Sequence, residues 1–193
     1  MEVTTEPDGG VDPRDQLVEH LRPLRAFAIS LTRNVSSADD LVQETILKAW
    51  SSIDKFQRGS NLQAWLFTIL RNTYYSSLRK SRREVADPEG NFAATLSVKP
   101  AHDGRMAFTD FLRAFDALSD EHREVLILVG ASGFTTEEAA AMMGVATGTV
   151  KSRASRARRR LSQLLGLAEG EGMFSGVDAV TEAVMARGSA AMG

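Results

Sequence analysis

The sequence predicts an all-α fold, two small helical domains joined by a flexible linker. Three observations point there. On either side of the chain's middle, apolar residues recur three and four positions apart, which lines them along one side of a helix. The middle itself, EVADPEGNFAATLSVKPAHDG, has no such period and carries two prolines and two glycines, the composition of a tether. Near the end, GTVKSRASRARRRL holds six cations between Lys151 and Arg160 and no acid, although the 193-residue chain has a formal net charge of −2. The expected divisions are a polar, acidic and disordered segment 1–12, a first domain 13–83, the linker 84–104, a second domain 105–167 and a tail 168–193. Within the tail, VDAVTEAVMARG is a candidate short helix with Val177, Val180 and Val184 on one face.

The first domain opens with Leu17, Leu21, Leu24, Ala28 and Leu31 at helical spacing, from Arg14 to about Arg33. Pro23 falls inside that run and predicts a kink or a split into two helices. The stretch NVSSADD ends this element and caps the next, a helix from about Ser37 to Ile53. Its expected buried side is Leu41, Thr45, Ile46, Ala49, Trp50 and Ile53, with Asp40, Gln43, Glu44 and Lys48 elsewhere on the cylinder. A loop, DKFQRGSN, precedes a long helix from Leu62 to about Arg83. It starts apolar, at Leu62, Trp65, Leu66 and Ile69, and ends basic, at Arg71, Arg79, Lys80, Arg82 and Arg83, with Asn72, Tyr74 and Tyr75 between. Aromatics interleaved with cations are what unpaired bases stack on. Trp65 reads as a core residue, Tyr75 and the cations as a surface.

The second domain starts with a stripe of Phe108, Phe111, Leu112, Phe115 and Leu118, followed by SDEHREVLILVGASG. In FTTEEAAAMMGVATGTVKSR, a short helix runs from Thr136 to Met143, opened by Thr135 or Thr136 with Glu138 as the capping acid and stopped by Gly144. After the turn GVAT, Thr147 or Thr149 is expected to cap the basic helix, and Ala139, Met142 and Val145 to pack against Val150 and Ala154. That helix lines Val150, Ala154, Ala157, Leu161 and Leu164 along one side and the cations along the other. This is the layout of a helix-turn-helix, whose second helix enters the major groove. Most charge runs are solvated faces of mixed sign. This one carries a single sign, which favours DNA.

Other function classes find little support. With no cysteine, disulfides and thiolate metal sites are excluded, and a reducing cytoplasm is the expected compartment. No apolar run approaches the roughly 20 residues of a membrane helix, and the acidic start lacks a signal-peptide pattern. His20, His102 and His122 are too widely spaced for a metal motif, and there is neither a phosphate-cradling glycine loop nor a nucleophile elbow. The carboxylate pairs Asp39–Asp40 and Glu137–Glu138 are both expected at helix starts, where they favour the helix dipole. The expectation is a protein that is no enzyme, with no catalytic residue, no metal and no cofactor.

Three segments, SADDLVQETILKAW, WLFTILRNTYYSSLRKSRR and LSDEHREVLILVGASGFTTEEAAAMMGVATGTVKSRASRARRRL, together resemble the extracytoplasmic-function (ECF) sigma factors of the sigma-70 family. These are two-domain initiation factors of bacterial RNA polymerase. The resemblance covers about residues 14–83 and 105–167, in the right order, and LILVGASGFTTEEAA is most similar to the general-stress-response subgroup called EcfG. It implies a region 2 helical bundle, a region 4 helix-turn-helix, and promoter-specific initiation controlled by an anti-sigma factor of the NepR type. Asp40, Gln43, Glu44 and Lys48 match the segment that docks on the β′ clamp of core polymerase, and the β flap is a second polymerase partner. Asn72 matches the position that holds a flipped base of the −10 element, and Phe56, Arg58, Ser60 and Asn61 match the loop that closes that pocket. Arg71, Tyr75, Arg79 and Lys80 join the −10 group. Thr149, Lys151, Ser152, Ser155 and Arg156 match residues reading the −35 element, with Arg153 and Arg158 on phosphates. Ser155 departs from the bulky apolar residue of some members.

A small net charge fits this reading. Affinity for DNA depends on neutralised phosphates, so each domain alone should bind weakly, and the polymerase supplies the spacing that lets both act together. The anti-sigma partner is expected to bind both domains, covering the surface around Asp40 to Lys48 and an apolar surface near Phe108 to Phe115. An alternative is a sigma-like decoy that sequesters an anti-sigma protein without touching DNA. Such a decoy is expected to carry a receiver domain and has no need of the basic helix or of Asn72. A stand-alone repressor or activator is a further alternative, but it leaves the first domain idle.

Overall fold

Pro23 marks the first break in the helical chain. The protein, analysed as a computed structural model, is described over residues 12–84 and 103–166, so the expectations for the first eleven residues, for most of the linker and for the tail lie outside the described residues. Helix α1, Pro13–Gln16, is capped by the Asp12 carboxylate, which accepts from the Arg14 N–H at 2.9 Å. A 3-10 turn at Leu17–His20 separates it from α2, Leu21–Thr32. Pro23 thus falls in the first turn of α2, where a missing N–H costs no intrahelical bond, and the run is split as expected.

Helix α2 is the central rod. Leu24 and every residue from Ala26 to Leu31 are buried, so it is covered nearly all round rather than along one stripe. The sequence pattern showed the stripe but not the second cover, which comes from the other domain. Arg33 ends α2 in the left-handed conformation, φ 56°, at a cost of about 1–2 kcal/mol for a side-chain-bearing residue.

Helix α3, Val35–Ser51, is capped by Asn34, whose side chain accepts from the Ser37 N–H at 2.9 Å. It begins two residues earlier than expected, which moves Asp39 and Asp40 into its second turn. The expectation that this pair sits at a helix start is therefore corrected. Asp39 instead accepts from Arg25 Nε at 2.6 Å, tying α3 to α2. Leu41, Thr45, Ala49 and the following Ile53 are buried, and Ile46 is half-buried. Trp50 is not buried as expected: it is 56% exposed, with the Arg14 guanidinium 5.7 Å from its ring. The inner stripe of α3 is narrow and built partly of small residues, so α2 approaches closely and leaves a residue one step beyond Ala49 at the rim.

After a 3-10 turn at Ile53–Lys55, helix α4 runs Leu62–Glu84. Asn61 caps it, accepting from the Ala64 N–H at 3.0 Å. Leu62, Leu66, Phe67, Leu70 and Thr73 are buried, while Trp65 is half-buried against Phe56, 5.4 Å between ring centroids. Phe67 stacks on Phe27 at 4.9 Å and forms a T-shaped pair with Phe134 from the second domain at 5.1 Å. One hydrophobic core therefore spans both domains.

In the second domain, α5 (Asp103–Asp116) buries Phe111, Leu112 and Phe115. Of the apolar residues expected there to meet an anti-sigma partner, Phe111, Leu112 and Phe115 are thus taken up by the protein's own core. Helix α6 (Asp120–Val125), capped by Ser119, continues into a π-helical turn at Leu126–Ala131, closed by the Ser132 N–H on the Ile127 carbonyl at 2.8 Å. Helix α7, Thr136–Met143, carries the full capping box between Thr135 and Glu138, and Gly144 ends it at φ 65°. Helix α8 spans Thr147–Leu164, but its N-cap is Ala146, with no side-chain cap. Neither Thr147 nor Thr149 caps it, because both lie inside the first turn and the Ala146 carbonyl takes up the N–H groups of Thr149 and Val150. Among the described residues there is no strand.

Candidate nucleic-acid and polymerase interfaces

Helix α8 is amphipathic in charge as well as in hydropathy. Val150, Ala154, Ala157 and Leu161 are buried, which fixes the rotation of the helix and turns Lys151, Ser155, Arg156 and Arg158 to solvent. Leu164, expected on the buried side, is 37% exposed at the fraying end. Ser152 is half-buried and donates to the Thr149 carbonyl at 3.0 Å, so its hydroxyl is partly spent on its own helix. Arg153 pairs with Glu121 of α6 at 3.1 Å. That pairing ties the base of α8 to the rest of its domain.

The outer face of α3 gathers Asp40, Gln43, Glu44 and Lys48, all exposed as expected. Lys48 bridges Glu44 at 2.6 Å and donates to Thr73 Oγ1 of α4 at 3.1 Å, so it also fastens α3 to α4. Sequence reasoning missed Leu47, 65% exposed on the same helix; with Trp50 it adds apolar area beside the acids. Their three-residue spacing on one face was the available signal. An acidic face with exposed apolar anchors is suited to a protein partner.

The −10 group is divided between the loop before α4 and α4 itself. Phe56 and Arg58 line a shallow hollow of about 210 Å³ together with Asp12, Arg14 and Asp54. Ser60 donates to the Gln57 carbonyl at 2.7 Å and shapes the turn before α4. Asn61, besides capping α4, donates from Nδ2 to Glu138 Oε1 of α7 at 3.0 Å. Asn72 is exposed, as are Arg79 and Lys80, and Arg79 reaches Ser76 Oγ at 3.1 Å.

Arg71 and Tyr75 differ from these exposed neighbours on α4 in being half-buried. The Arg71 guanidinium lies 4.7 Å from the Tyr75 ring centroid and pairs through Nε with Glu124 Oε1 of α6. The Tyr75 hydroxyl donates to Glu124 Oε2 at 3.0 Å. Glu124 is almost wholly enclosed, and burial pushes its carboxyl above the ordinary carboxylate range despite the opposing pull of Arg71, Tyr75 and Arg153. Burial and the facing Glu124 likewise hold the Tyr75 phenol well above its usual value, so it remains a hydrogen-bond donor.

Next to it, Arg123 is fully buried. Its Nε donates to the Ser30 carbonyl at 2.9 Å, one terminal nitrogen to the Leu118 carbonyl at 2.6 Å, and the other to Asp120 Oδ1 at 2.6 Å. Sequence reasoning missed both residues. Their signal was a charged pair placed directly against the apolar run Val125 to Leu128, which is buried throughout.

Two family models match the chain where these surfaces lie: Sigma-70 region 2 over residues 17–84 and Sigma-70 region 4 over residues 108–161. The class is that of two-domain promoter-recognition factors, and the chain belongs to the ECF sigma factors of RNA polymerase. It is 56% identical over 152 residues to the ECF RNA polymerase sigma factor EcfG of Rhodopseudomonas palustris (strain TIE-1), covering 79% of this chain and 84% of that one. It is 31% identical to the RNA polymerase sigma factor CarQ of Myxococcus xanthus, over 82% of this chain and 92% of the relative. Among solved structures it is similar to the sigma factor RpoE in its complex with the anti-sigma factor NepR from Bartonella quintana, with TM-score 0.72 and 51% identity over 81% of this chain and 98% of that one. The PhyRSL–NepR complex from Sphingomonas sp. Fr1 shares the fold at TM-score 0.59, with 20% identity over 83% of this chain and 94% of that one. Among the described residues, no helix is long and apolar enough to cross a membrane.

Proposed function

We propose that this sigma factor directs core RNA polymerase to promoters of general stress response genes and is held in check by a NepR-type anti-sigma factor. The 56% identity to EcfG and the 51% identity to a sigma factor crystallised with NepR support the pathway and the partner. In this reading residues 13–83 act as region 2, 84–104 as the tether and 105–167 as region 4. The protein works in the cytoplasm, where its polymerase is, without cofactor or catalysis of its own.

The roles divide by surface. Asp40, Gln43, Glu44 and Lys48, joined by Leu47 and Trp50, meet the β′ clamp. Asn72 reads an extruded base of the −10 element with its amide, which has two donors and an acceptor. Phe56, Arg58, Ser60 and Asn61 border that base, and Arg71, Tyr75, Arg79 and Lys80 track the strand. On α8, Arg156 or Lys151 makes the bidentate guanine contact, with Thr149, Ser152 and Ser155 beside it and Arg153 and Arg158 on phosphates. The observation that carries this reading is the acid-free cationic face of α8, turned to solvent by a buried stripe on its other side.

The test is in vitro transcription with core polymerase and a promoter library. Wild-type protein should select a shared promoter motif. Replacing Gln43 and Glu44 with alanine should abolish pull-down of core polymerase while leaving the helical spectrum unchanged, since both side chains are exposed. Unchanged polymerase binding by that variant would overturn the docking assignment.

A further inference from the structure

Thr73, the neighbour of Asn72 on α4, is buried, and its hydroxyl is bonded to another helix. Two other helical threonines, Thr45 of α3 and Thr68 of α4, donate back to the carbonyls four residues earlier, Leu41 at 2.7 Å and Ala64 at 2.8 Å. Such a bond satisfies a hydroxyl within its own helix and fixes nothing beyond it. Thr73 Oγ1 instead accepts from Lys48 Nζ of α3 at 3.1 Å, 25 residues away. A hydrogen bond from an ammonium is roughly twice as strong as one between neutral groups.

The next residue ties the same turn elsewhere. The Tyr74 hydroxyl donates to the Leu31 carbonyl, near the end of α2, at 2.9 Å. Consecutive residues point about 100° apart around a helix, so Thr73 and Tyr74 hold one turn of α4 from two directions. Leu66 and Leu70 are fully buried on its inner side, but apolar contact is non-directional and tolerates small rotations. Asn72 is exposed one residue before Thr73 and moves with whatever rotation that turn takes. Side-chain ends lie about 5–6 Å from a helix axis, so a rotation of about 10° carries the Asn72 amide by about 1 Å. That is enough to spoil a hydrogen bond to a base edge, because recognition geometry has to hold within about 0.5 Å. We infer that Thr73 is a positioning residue for −10 recognition: the Lys48–Thr73 bond sets the rotation of α4 at which Asn72 meets its base. The inference rests on the assignment of Asn72 to an extruded base.

Lys48 is itself held for this task. Its ammonium bridges Glu44, one turn earlier on α3, at 2.6 Å, so the side chain is directed before it reaches α4. Helix α3 is fixed in turn to α2 by Arg25 and Asp39 at 2.6 Å. Thr73, at 4% exposure, is too enclosed to meet a base, so it acts on base choice only through its neighbours. A hydroxyl with a merely structural role would change stability and leave base choice alone.

The test reads base choice directly. The full chain is assembled with core polymerase, and initiation is measured on the library-selected promoter, pre-melted across the −10 element, with each base of that element changed in turn. Discrimination is the ratio between the best base and the next, taken at the position where Asn72→Ala lowers it. Thr73→Val removes the acceptor, keeps the branched shape and should lower that ratio about fivefold, the weak end of what a base contact supplies. Thr73→Ser keeps the hydroxyl and should stay near wild type. Polymerase pull-down and the helical spectrum should be unchanged in both. In the Asn72→Ala background, Thr73→Val should lower the ratio no further, because the two side chains act as one unit. If Thr73→Val loses the helical spectrum, Thr73→Ala takes its place in the same assay. Wild-type discrimination without the hydroxyl, a loss in Thr73→Ser, or an undiminished further loss in the Asn72→Ala background overturns the positioning role. Wild-type discrimination by Asn72→Ala at every −10 position overturns the base assignment instead, and the inference falls with it.

Discussion

The two cationic surfaces of this protein share a composition and differ in what they face. On α8, Lys151, Arg156 and Arg158 stand in solvent above a buried apolar stripe, awaiting a partner from outside the chain. On α4, Arg71 and its neighbour Tyr75 are already engaged, by a carboxylate from the other domain. An exposed charge run is open to an outside partner, whereas these two α4 side chains already have one inside the chain. The net charge of −2 reflects 23 Lys and Arg against 25 Asp and Glu, and Glu124 is one of the acids that meets a base inside the chain.

The largest effect should come from the polar floor between the surfaces. Arg123→Ala leaves Asp120 and the carbonyls of Ser30 and Leu118 without their buried donor. Breaking a buried charge cluster by removing one member should cost about 3–5 kcal/mol, read as a lowered urea midpoint. A midpoint close to wild type would show that the interface is not part of the stable fold.

Next comes the open surface. Arg156→Ala should cost about 1–3 kcal/mol of discrimination at one −35 position, the price of a lost base contact. Arg158→Ala should weaken binding across all sequences and reduce the salt slope by about one. Identical behaviour of the two across a set of −35 variants would merge base and phosphate contacts into one class.

A smaller effect is expected beside the covered surface. Thr135→Ala removes the capping box of α7 and should cost about 1 kcal/mol in thermal unfolding. The loss should appear equally at all salt concentrations, because a cap bond is local.

The smallest expected effect separates the two interdomain carboxylates by pH. Burial holds Glu124 above its ordinary value of 4.5, so the folded chain keeps that proton where the unfolded chain has lost it, and its contribution to stability falls as pH rises through the window above 4.5. Glu138 is held below 4.5, first by the Thr135 N–H and then by Asn61, so its contribution is present above 4.5 and is lost as pH falls. Urea titrations across pH should therefore show Glu124→Gln and Glu138→Gln altering the pH profile with opposite slopes. Slopes of the same sign would contradict the assigned environments.

Much of this arrangement was legible in the sequence because it is local. The capping box of α7, the Gly144 stop and the four-three spacing of α8 each lie within a few residues. The exposed acids of α3 were legible for the same reason. Trp50 was misplaced because an apolar residue at the edge of a stripe can turn either way, and the small side chains of the α2–α3 contact decide it. The covers of α2 and α4 were not legible, because Tyr75 and Arg71 meet Glu124 across 49 and 53 residues of chain. Periodicity gives the rotation of a helix and says nothing about which distant element arrives on its second side. Arg123 and Glu124 broke the rule that charges lie outside, and only long-range partners make that tenable.

The account stands most directly on whether α4 reads open DNA. Core polymerase loaded with Asn72→Ala should be compared with wild type on duplex promoters and on the same promoters pre-melted across the −10 element. Asn72 is exposed on α4, so alanine should leave the fold unchanged. The account predicts a clear fall in initiation on duplex templates, only partly restored by pre-melting because the base contact is still missing. Full activity of Asn72→Ala on duplex templates would contradict it.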